Sequence, residues 1–201
     1  PVVEEAQAIR IGEKTVSFSA HDVPGAVPWR EYGVDLVLEC TGKFKTLGAL
    51  QPYYDGGVKK VIVAAPVQEK SALNIVMGIN DHLYEASRDD LLTAASCTTN
   101  CFAPMVKVLH DSFGVEHGLM STIHSYTNDQ SILDQRHSDL RRARAAAMNI
   151  IPTNTGAARA VGLVLPELNG KLHGVAFRVP TATGSITDFV ANVAKDVSVD
   201  A

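Results

Sequence analysis

The sequence predicts an α/β protein in two parts, and three observations support this fold class. Along the first half, apolar runs of strand length alternate with a helical pattern, which is typical of a parallel sheet. Along the second half, a few longer alternating strands mix with helices, which is typical of an α+β arrangement. Of the 201 residues, 46% are apolar and 20% are charged, so the chain can form a sizeable core. We place the boundary between the two parts near Ser96.

The first part predicts a hairpin followed by a βαβ unit. The hairpin turns at residues 12–14, and the run VDLVLEC at 34–40 is of the kind that is buried on both faces of a parallel sheet. A helix from about Leu47 to Asp55 ends at two glycines and leads to the next buried strand, in KKVIVAAP. The runs LNIVMGIN and LLTAAS predict further strands.

The second part predicts two helices, three strands and one long polar segment. Residues 97–113 predict a helix whose apolar residues share one stripe, and Pro104 predicts irregular first turns. The run TGAARAVGLVLPEL predicts a helix that begins near Thr155, and strands are predicted in HGLMSTIHSYT, KLHGVAFRVP and SITDFVANVAK. Residues 128–149 are polar and weakly periodic, and a connection of this length is more often functional than idle.

Composition and charge exclude several classes of function. The net charge is −4, and the basic stretch DLRRARAA has no interleaved aromatic residues, so we expect no nucleic-acid partner. No apolar run is long enough to cross a bilayer, so we expect no membrane partner. Three cysteines make no disulfide framework, and the N-terminal residues show no export signal. We therefore expect a cytoplasmic protein.

The stretch AASCTTNC places Cys97 and Cys101 four residues apart, where a strand leads into a helix. A zinc site is disfavoured because it requires Cys-x-x-Cys spacing and a second pair of ligands. The residues alone leave two interpretations open. Both cysteines can share a buried helix face, or Cys97 at the helix start can be favoured as a thiolate by the helix dipole. We assign Cys101 to packing and assign no chemistry to Cys40.

His124, on the strand after this helix, is the candidate base for a nucleophilic Cys97. A helix that returns to an adjacent strand can bring the two side chains into contact. The alternative for His124 is a half-buried strand histidine without a chemical role.

Several residues are candidates for binding anions. Arg178 ends an otherwise apolar strand and must find a partner or reach a cleft. The predicted helix start at Thr155 and Gly156, and Ser96 and Thr98 beside the cysteine, suit anions as well. A thiol, a histidine and such sites together predict acyl chemistry on a phosphorylated substrate. The basic stretch adds Arg141, Arg142 and Arg144, and its alternative is a solvated loop, or a helix that pairs with Asp134 and Asp139.

The motifs ASCTTNC, IHSYT, DLRRARAAAMNIIPTNTGAA and FRVPT, in this order, closely resemble those of phosphorylating glyceraldehyde-3-phosphate dehydrogenases, above all the bacterial and chloroplast branch. The resemblance covers essentially the whole chain. It implies a truncated Rossmann-like parallel-sheet domain at 1–96, which binds the cofactor, and a partial α+β catalytic domain at 97–201. It also implies a homotetramer in which residues 128–149 line the cofactor site of a neighbouring subunit.

The resemblance also implies a reaction of glycolysis, carried out by an oxidoreductase. Cys97 would attack the aldehyde of D-glyceraldehyde 3-phosphate to give a thiohemiacetal. His124 would take the hydroxyl proton as hydride leaves for NAD or NADP. Inorganic phosphate would then attack the thioester and release 1,3-bisphosphoglycerate.

By position, the resemblance assigns each remaining site residue a role. Thr127 and Arg178 would bind the substrate phosphate, and Arg142 would reach into the phosphate sites. The inorganic phosphate would be bound by Ser96, Thr98, Thr155 and Gly156. The cofactor contacts would be Thr41, Gly42, Phe44 and Ala64, a region where the sequence departs from the family: the usual STG is CTG, the Ser or Thr before Ala-Pro is Ala64, and the usual SNAS is TAAS.

The sequence contains no G-x-G-x-x-G loop, although the family opens with a strand and this loop. The resemblance therefore implies an internal fragment that lacks both ends of the family, with the residues that choose NAD or NADP upstream of Pro1. We expect the chain alone to have little or no dehydrogenase activity and no firmly bound cofactor. Two alternatives remain open: a related dehydrogenase acting on erythrose 4-phosphate or alongside arsenate export, and a non-catalytic truncated product.

Overall fold

In a computed structural model, which describes residues 2–5, 8–67 and 69–200, the chain forms three β-sheets and three α-helices. The first sheet is small and antiparallel and comprises β1 (Val2–Glu5), β2 (Ala8–Ile11) and β3 (Lys14–Ser17). The predicted hairpin is confirmed as β2 and β3, which pair around a turn at residues 12 and 13. The sequence analysis did not predict β1.

The second sheet is parallel throughout. Its elements are β4 (Leu36–Glu39), α1 (Leu47–Asp55), β5 (Lys60–Val63), β6 (Leu73–Asn74) and β7 (Leu91–Thr93). The strand order is β4-β5-β7-β6, and β4-α1-β5 is the predicted βαβ unit. Because all four strands run in one direction, the segments that follow β4, β5 and β7 lie along the same edge of the sheet.

Strand β4 is buried on one face only. Val37 and Glu39 are buried beside α1, whereas Leu36 and Leu38 are 49% and 64% exposed. The prediction that residues 34–40 are buried on both faces was therefore wrong for the described part of the chain. An apolar run indicates that both faces of a strand are suited to burial, but it does not determine which elements cover each face.

The third sheet is mixed and carries two helices on one face. Its elements are α2 (Cys97–Phe113), β8 (Val115–Ser125), β9 (Ile151–Asn154), α3 (Ala157–Val164), β10 (Leu172–Val179) and β11 (Ile186–Val193). The order is β11-β8-β10-β9, with β8 and β10 parallel and the other pairs antiparallel. The core between helices and sheet is built around Phe102, Val106, Met120 and Val161.

The predicted helices and strands of the second part are confirmed, with two differences. Helix α2 runs without a break through Pro104, although an interior proline disfavours a helix, because the fully buried Phe102 and Ala103 beside it hold the helix against the core. Strand β9 was not predicted because Pro152 lies within it. It is an edge strand, where a proline is tolerated.

The outer face of the mixed sheet is open to solvent and carries several large apolar side chains. Leu119 and Val190 pair across β8 and β11 and are 64% and 66% exposed, with Ile186 and Val175 also exposed on the same face. An exposed apolar face of this kind marks a surface for association. No helix within the described part of the chain is both long and apolar enough to cross a membrane.

Candidate active site

A cleft of about 670 Å³ lies where the starts of α2 and α3 meet the ends of β8 and β10. Eight residues singled out in the sequence line it: Ser96, Cys97, Thr98, His124, Arg142, Thr155, Gly156 and Arg178. Arg142 comes from the long segment between β8 and β9, in which residues 140–143 form a short 3-10 helix. The fold therefore gathers residues from five separate regions of the chain into one cavity.

Cys97 is the first residue of α2 and is exposed to the cleft. The helix begins there because Ser96 adopts an extended backbone and its hydroxyl accepts a hydrogen bond from the backbone N–H of Thr99 at 3.0 Å. The Sγ of Cys97 lies 3.6 Å from Nε2 of His124, within reach of a sulfur hydrogen bond. The structure thus brings the predicted nucleophile and base together.

His124 is buried near the end of β8, and its ring is held by the backbone. Its Nδ1 lies 2.6 Å from the carbonyl oxygen of Ser125, which can only accept a hydrogen bond. The proton of a neutral ring therefore belongs on Nδ1, and Nε2 is left to accept the proton of the Cys97 thiol. This arrangement suits a base and does not resemble a histidine that merely fills the core.

Arg178 lies directly opposite His124 because β10 and β8 pair in parallel at these two residues. Its Nη1 donates to the carbonyl oxygen of Ser125 at 3.0 Å and to Oγ1 of Thr127 at 3.1 Å, while its buried Nε has no partner among the described residues. Burial, followed by the positive charge of Arg142, lowers the pKa of Arg178. An anion in the cleft would relieve both effects, since it supplies negative charge and an acceptor.

Arg142 also lines the cleft and is held there by three contacts. Its Nε donates to Oγ1 of Thr153 at 2.8 Å, its Nη1 pairs with the carboxylate of Asp129, and its Nη2 donates to the carbonyl oxygen of Asn154 at 3.3 Å. These contacts hold a second cation at the cavity that contains Arg178.

The other two arginines of the basic stretch behave differently. Arg141 pairs with Asp139 at 2.9 Å, and Arg144 pairs with Asp134 at 3.1 Å. The hydrogen bond from Arg141 lowers the pKa of Asp139. The alternative of a solvated, ion-paired loop is therefore correct for Arg141 and Arg144, and only Arg142 turns inward.

The remaining anion candidates surround the two helix starts. Gly156 precedes α3 without a side-chain cap, and Oγ1 of Thr155 accepts from the N–H of Ala157 at 3.2 Å. Ser96 and Thr98 flank Cys97 at the start of α2. Two helix starts facing one cavity provide N–H groups and dipoles that favour negative charge.

The predicted cofactor contacts lie along the carboxyl edge of the parallel sheet, and none of the four lines the cleft around Cys97. Thr41 donates its N–H to the Glu39 carboxylate at 2.7 Å, and Ala64 follows β5 and is exposed. Gly42 has φ +72°, and no described atom lies within 4 Å of the place where a Cβ would project. Phe44 packs on the core beside α1. The open backbone at Gly42 fits the close approach of a cofactor.

Some residues of the site were not predicted from the sequence. Thr122 lines the cleft and is 1% exposed, yet its hydroxyl has no described partner. It lies two residues before His124 on the same face of β8, so the alternation of the strand was a signal that could have revealed it. Thr153 and Asp129, which hold Arg142, carried no such signal, because the chain must fold before they meet.

The assignment of Cys101 to core packing was wrong. Cys101 is exposed, and its Sγ lies 3.8 Å from Oγ1 of Thr187. It follows Cys97 by four residues on the same side of α2. Cys40 is exposed as well.

Comparison with known proteins adds independent information. Residues 96–201 match the family model described as "Glyceraldehyde 3-phosphate dehydrogenase, C-terminal domain", and residues 1–47 match "Glyceraldehyde 3-phosphate dehydrogenase, NAD binding domain". The chain is 55% identical over 201 residues to glyceraldehyde-3-phosphate dehydrogenase 3 of Nostoc sp., and the aligned region covers 100% of this chain and 59% of the Nostoc protein. It is 51% identical over 199 residues to glyceraldehyde-3-phosphate dehydrogenase of Mycobacterium leprae, at 98% and 58% coverage. The chain thus spans less than two thirds of the length of these curated relatives.

Proposed function

Because this chain belongs to the glyceraldehyde 3-phosphate dehydrogenase family, we propose that it supplies the thiol, the base and the phosphate contacts of a phosphorylating aldehyde dehydrogenase. The observation that carries the proposal is the 3.6 Å contact between Sγ of Cys97 and Nε2 of His124, in a cleft with two arginines and two helix starts. The substrate class that fits is a small phosphorylated aldehyde, with D-glyceraldehyde 3-phosphate as the proposed member.

In the first step, Sγ of Cys97 bonds to the aldehyde carbon while the thiol proton passes through His124 to the new hydroxyl group. Nε2 of His124 then takes this hydroxyl proton as the substrate carbon is oxidised to the thioester level. The chemistry supplied by a bound NAD or NADP is the acceptance of a hydride from this carbon. Thr41, Gly42, Phe44 and Ala64 are the proposed residues that hold it.

In the second step, an oxygen of inorganic phosphate bonds to the thioester carbon and the bond between carbon and Sγ breaks. The leaving thiolate regains a proton from His124, so Cys97 and His124 return to their starting states. The product is an acyl phosphate, which for the proposed substrate is 1,3-bisphosphoglycerate.

Two phosphate positions are needed, and the cleft offers two groups of contacts. We assign the substrate phosphate to Arg178 with Thr127, because the buried Nε of the guanidinium has no described partner. The inorganic phosphate is assigned to the second group, which surrounds the two helix starts: Ser96, Thr98, Thr155 and Gly156. Arg142, held by Asp129 and Thr153, is placed to serve both.

We further propose a cytoplasmic homotetramer whose subunits associate partly through the outer face of the mixed sheet. Support comes from the exposed apolar side chains of Leu119, Val175, Ile186 and Val190 on that face. Solvent exposure of such a surface is unfavourable in an isolated subunit, and burying it between subunits removes the cost. The division into a cofactor domain at 1–96 and a catalytic domain at 97–201 is part of the same proposal.

The test uses the full natural polypeptide that carries these residues. Formation of NADH or NADPH is followed with glyceraldehyde 3-phosphate, with and without inorganic phosphate, and again with erythrose 4-phosphate. We expect phosphate-dependent turnover that is abolished in Cys97→Ala, together with trapping of an acyl group on Cys97 when phosphate is left out. Turnover that persists in Cys97→Ala would refute the proposal, and a preference for erythrose 4-phosphate would change its substrate.

A further inference from the structure

The backbone bends sharply just before Cys97. Ala95 has φ +53°, and among the described residues it is the one non-glycine residue with a positive φ. A Cβ disfavours this left-handed conformation, so it persists only where surrounding contacts enforce it. Ala95 is buried and lies between the end of β7 and the start of α2, two residues before the nucleophile.

A buried hydroxyl enforces the bend from inside. The N–H of Ala95 donates to Oγ1 of Thr93 at 2.9 Å, and this hydroxyl donates in turn to Oδ1 of Asn74 at 3.0 Å. Thr93 is 1% exposed, so neither bond can be replaced easily by water. The hydroxyl of Thr93 both donates and accepts a hydrogen bond, whereas valine, which has the same shape, can neither donate nor accept one.

Asn74 is itself anchored in the parallel sheet. Its Nδ2 donates to the backbone carbonyl oxygens of Val67 and Ala72 at 3.3 and 3.4 Å. The backbone carbonyl oxygen of Asn74 accepts from Nδ2 of Asn80 at 2.8 Å. The N–H of Ala94 bonds to the carbonyl oxygen of Val63 at 3.0 Å. The bend is therefore tied to the parallel sheet by hydrogen bonds.

A second side chain secures the outer side of the bend. Nδ2 of Asn100 donates to the carbonyl oxygens of Ala94 and Ser96 at 2.8 and 2.9 Å. With Thr93 on the inside and Asn100 on the outside, the direction in which α2 leaves the sheet is determined. That direction sets the position of Cys97 relative to His124, which belongs to the other sheet.

We propose that Thr93 is a positioning residue for Cys97: its hydroxyl holds Ala95 in the left-handed conformation and thereby keeps the thiol in contact with His124. This inference rests on the proposed role of Cys97 as the nucleophile. Without the hydroxyl, Ala95 relaxes toward an ordinary conformation and the helix start moves, so the contact at 3.6 Å is lost.

The experiment measures how fast limiting iodoacetamide alkylates each cysteine at neutral pH, by mass spectrometry on the full natural polypeptide. Four proteins are compared: wild type, Thr93→Ser, Thr93→Val, and Thr93→Val combined with Ala95→Gly. We expect Thr93→Val to slow the alkylation of Cys97 about tenfold, as losing one buried hydrogen bond suggests. The exposed Cys40 and Cys101 serve as internal references and stay unchanged.

The other two variants separate positioning from a general structural effect. Thr93→Ser keeps the hydroxyl and should match wild type. Glycine adopts a positive φ without a tether, so Ala95→Gly should restore most of the Cys97 rate in the Thr93→Val background. If Thr93→Val does not fold, the comparison becomes Ala95→Gly against the double variant, in which we expect equal Cys97 rates.

Equal Cys97 rates in wild type and Thr93→Val would overturn the proposal, as would a double variant that stays as slow as Thr93→Val. Failure of the proposed function gives a different result, because Cys97 in the wild type would then react no faster than Cys40 or Cys101.

Discussion

Replacing Arg178 with glutamine removes a cation from the cleft while keeping a shorter, uncharged polar side chain. The buried Nε of Arg178 has no partner in the described part of the chain, and the pKa of Arg178 is lowered first by burial and then by the charge of Arg142. Both observations indicate a guanidinium that is incompletely satisfied by the protein itself. The substrate phosphate is the proposed partner, so the substitution should weaken binding of that phosphate specifically.

The size of the effect follows from the hydrogen bonds at stake. Each hydrogen bond to a charged group contributes about 1.5–3 kcal/mol. Two such bonds, at the lower bound, contribute about 3 kcal/mol, which corresponds to about a 100-fold loss in kcat/KM. Lysine retains the charge but not the planar pair of donors, so Arg178→Lys should lie between wild type and Arg178→Gln.

The assay compares two substrates in the full natural polypeptide: D-glyceraldehyde 3-phosphate and the unphosphorylated D-glyceraldehyde. We expect kcat/KM to fall about 100-fold for the first and to change little for the second, which has no phosphate to lose. Because Arg178 also contacts Ser125 and lies 3.3 Å from Nδ1 of His124, the unphosphorylated substrate controls for damage to the base. Equal losses on both substrates would refute the assignment of Arg178 to the phosphate.

Three further outcomes follow from the structure. Thr122→Val removes a buried hydroxyl without a described partner, so thermal stability should be unchanged or higher. Phosphate-dependent turnover should fall in this variant, since Thr122 lines the cleft, and Thr122→Ser should retain the turnover. Lower stability in Thr122→Val with unchanged turnover would contradict a role in the cleft. Burial, and then the hydrogen bond to Glu39, raise the pKa of Tyr53 above its ordinary value of 10.0. The neutral phenol of Tyr53 therefore contributes to the free energy of unfolding in full below about pH 10, and this contribution is lost as pH rises further. Thermal denaturation of wild type and Tyr53→Phe between pH 8 and about 11 should therefore show a steeper loss in the wild type, and parallel curves would count against this coupling. Leu119→Lys places a charge on the outer face of the mixed sheet and should shift the proposed assembly toward smaller species in light scattering. Val16→Lys at the exposed Val16 of β3 is the control and should leave the mass unchanged. An unchanged mass in Leu119→Lys would exclude the outer face of the mixed sheet as an interface.

Some elements were predictable because their signals are local. Helix α1 begins and ends where the sequence indicated, since Thr46 caps it through the N–H of Ala49 and Gly57, at φ +97°, follows its end. The start of α2 was predictable for the same reason, as the Ser96 hydroxyl lies next to the N–H groups that it caps.

Other features were misjudged because they depend on neighbours that are distant in the sequence. Leu36 and Leu38 have the pattern of a buried strand, but one face of β4 is exposed in the described chain. Strand β9 contains a proline that argues against a strand, and it forms because it pairs with β10 at the sheet edge. Cys101 was expected in the core, but it is exposed and lies beside Thr187 of β11, which is 86 residues away in the sequence.

The sequence by itself determined the local parts of the candidate site: a cysteine at a capped helix start, a histidine on the next strand, and an arginine near a strand end. These follow from capping, dipole and alternation, which act over a few residues. Only the tertiary structure decided which of them meet. The register of β8 and β10 sets Arg178 opposite His124, 54 residues away, and the contact between Cys97 and His124 spans 27 residues. The physical reason is that local rules set the direction of a side chain along its element, whereas packing and register set what that side chain faces.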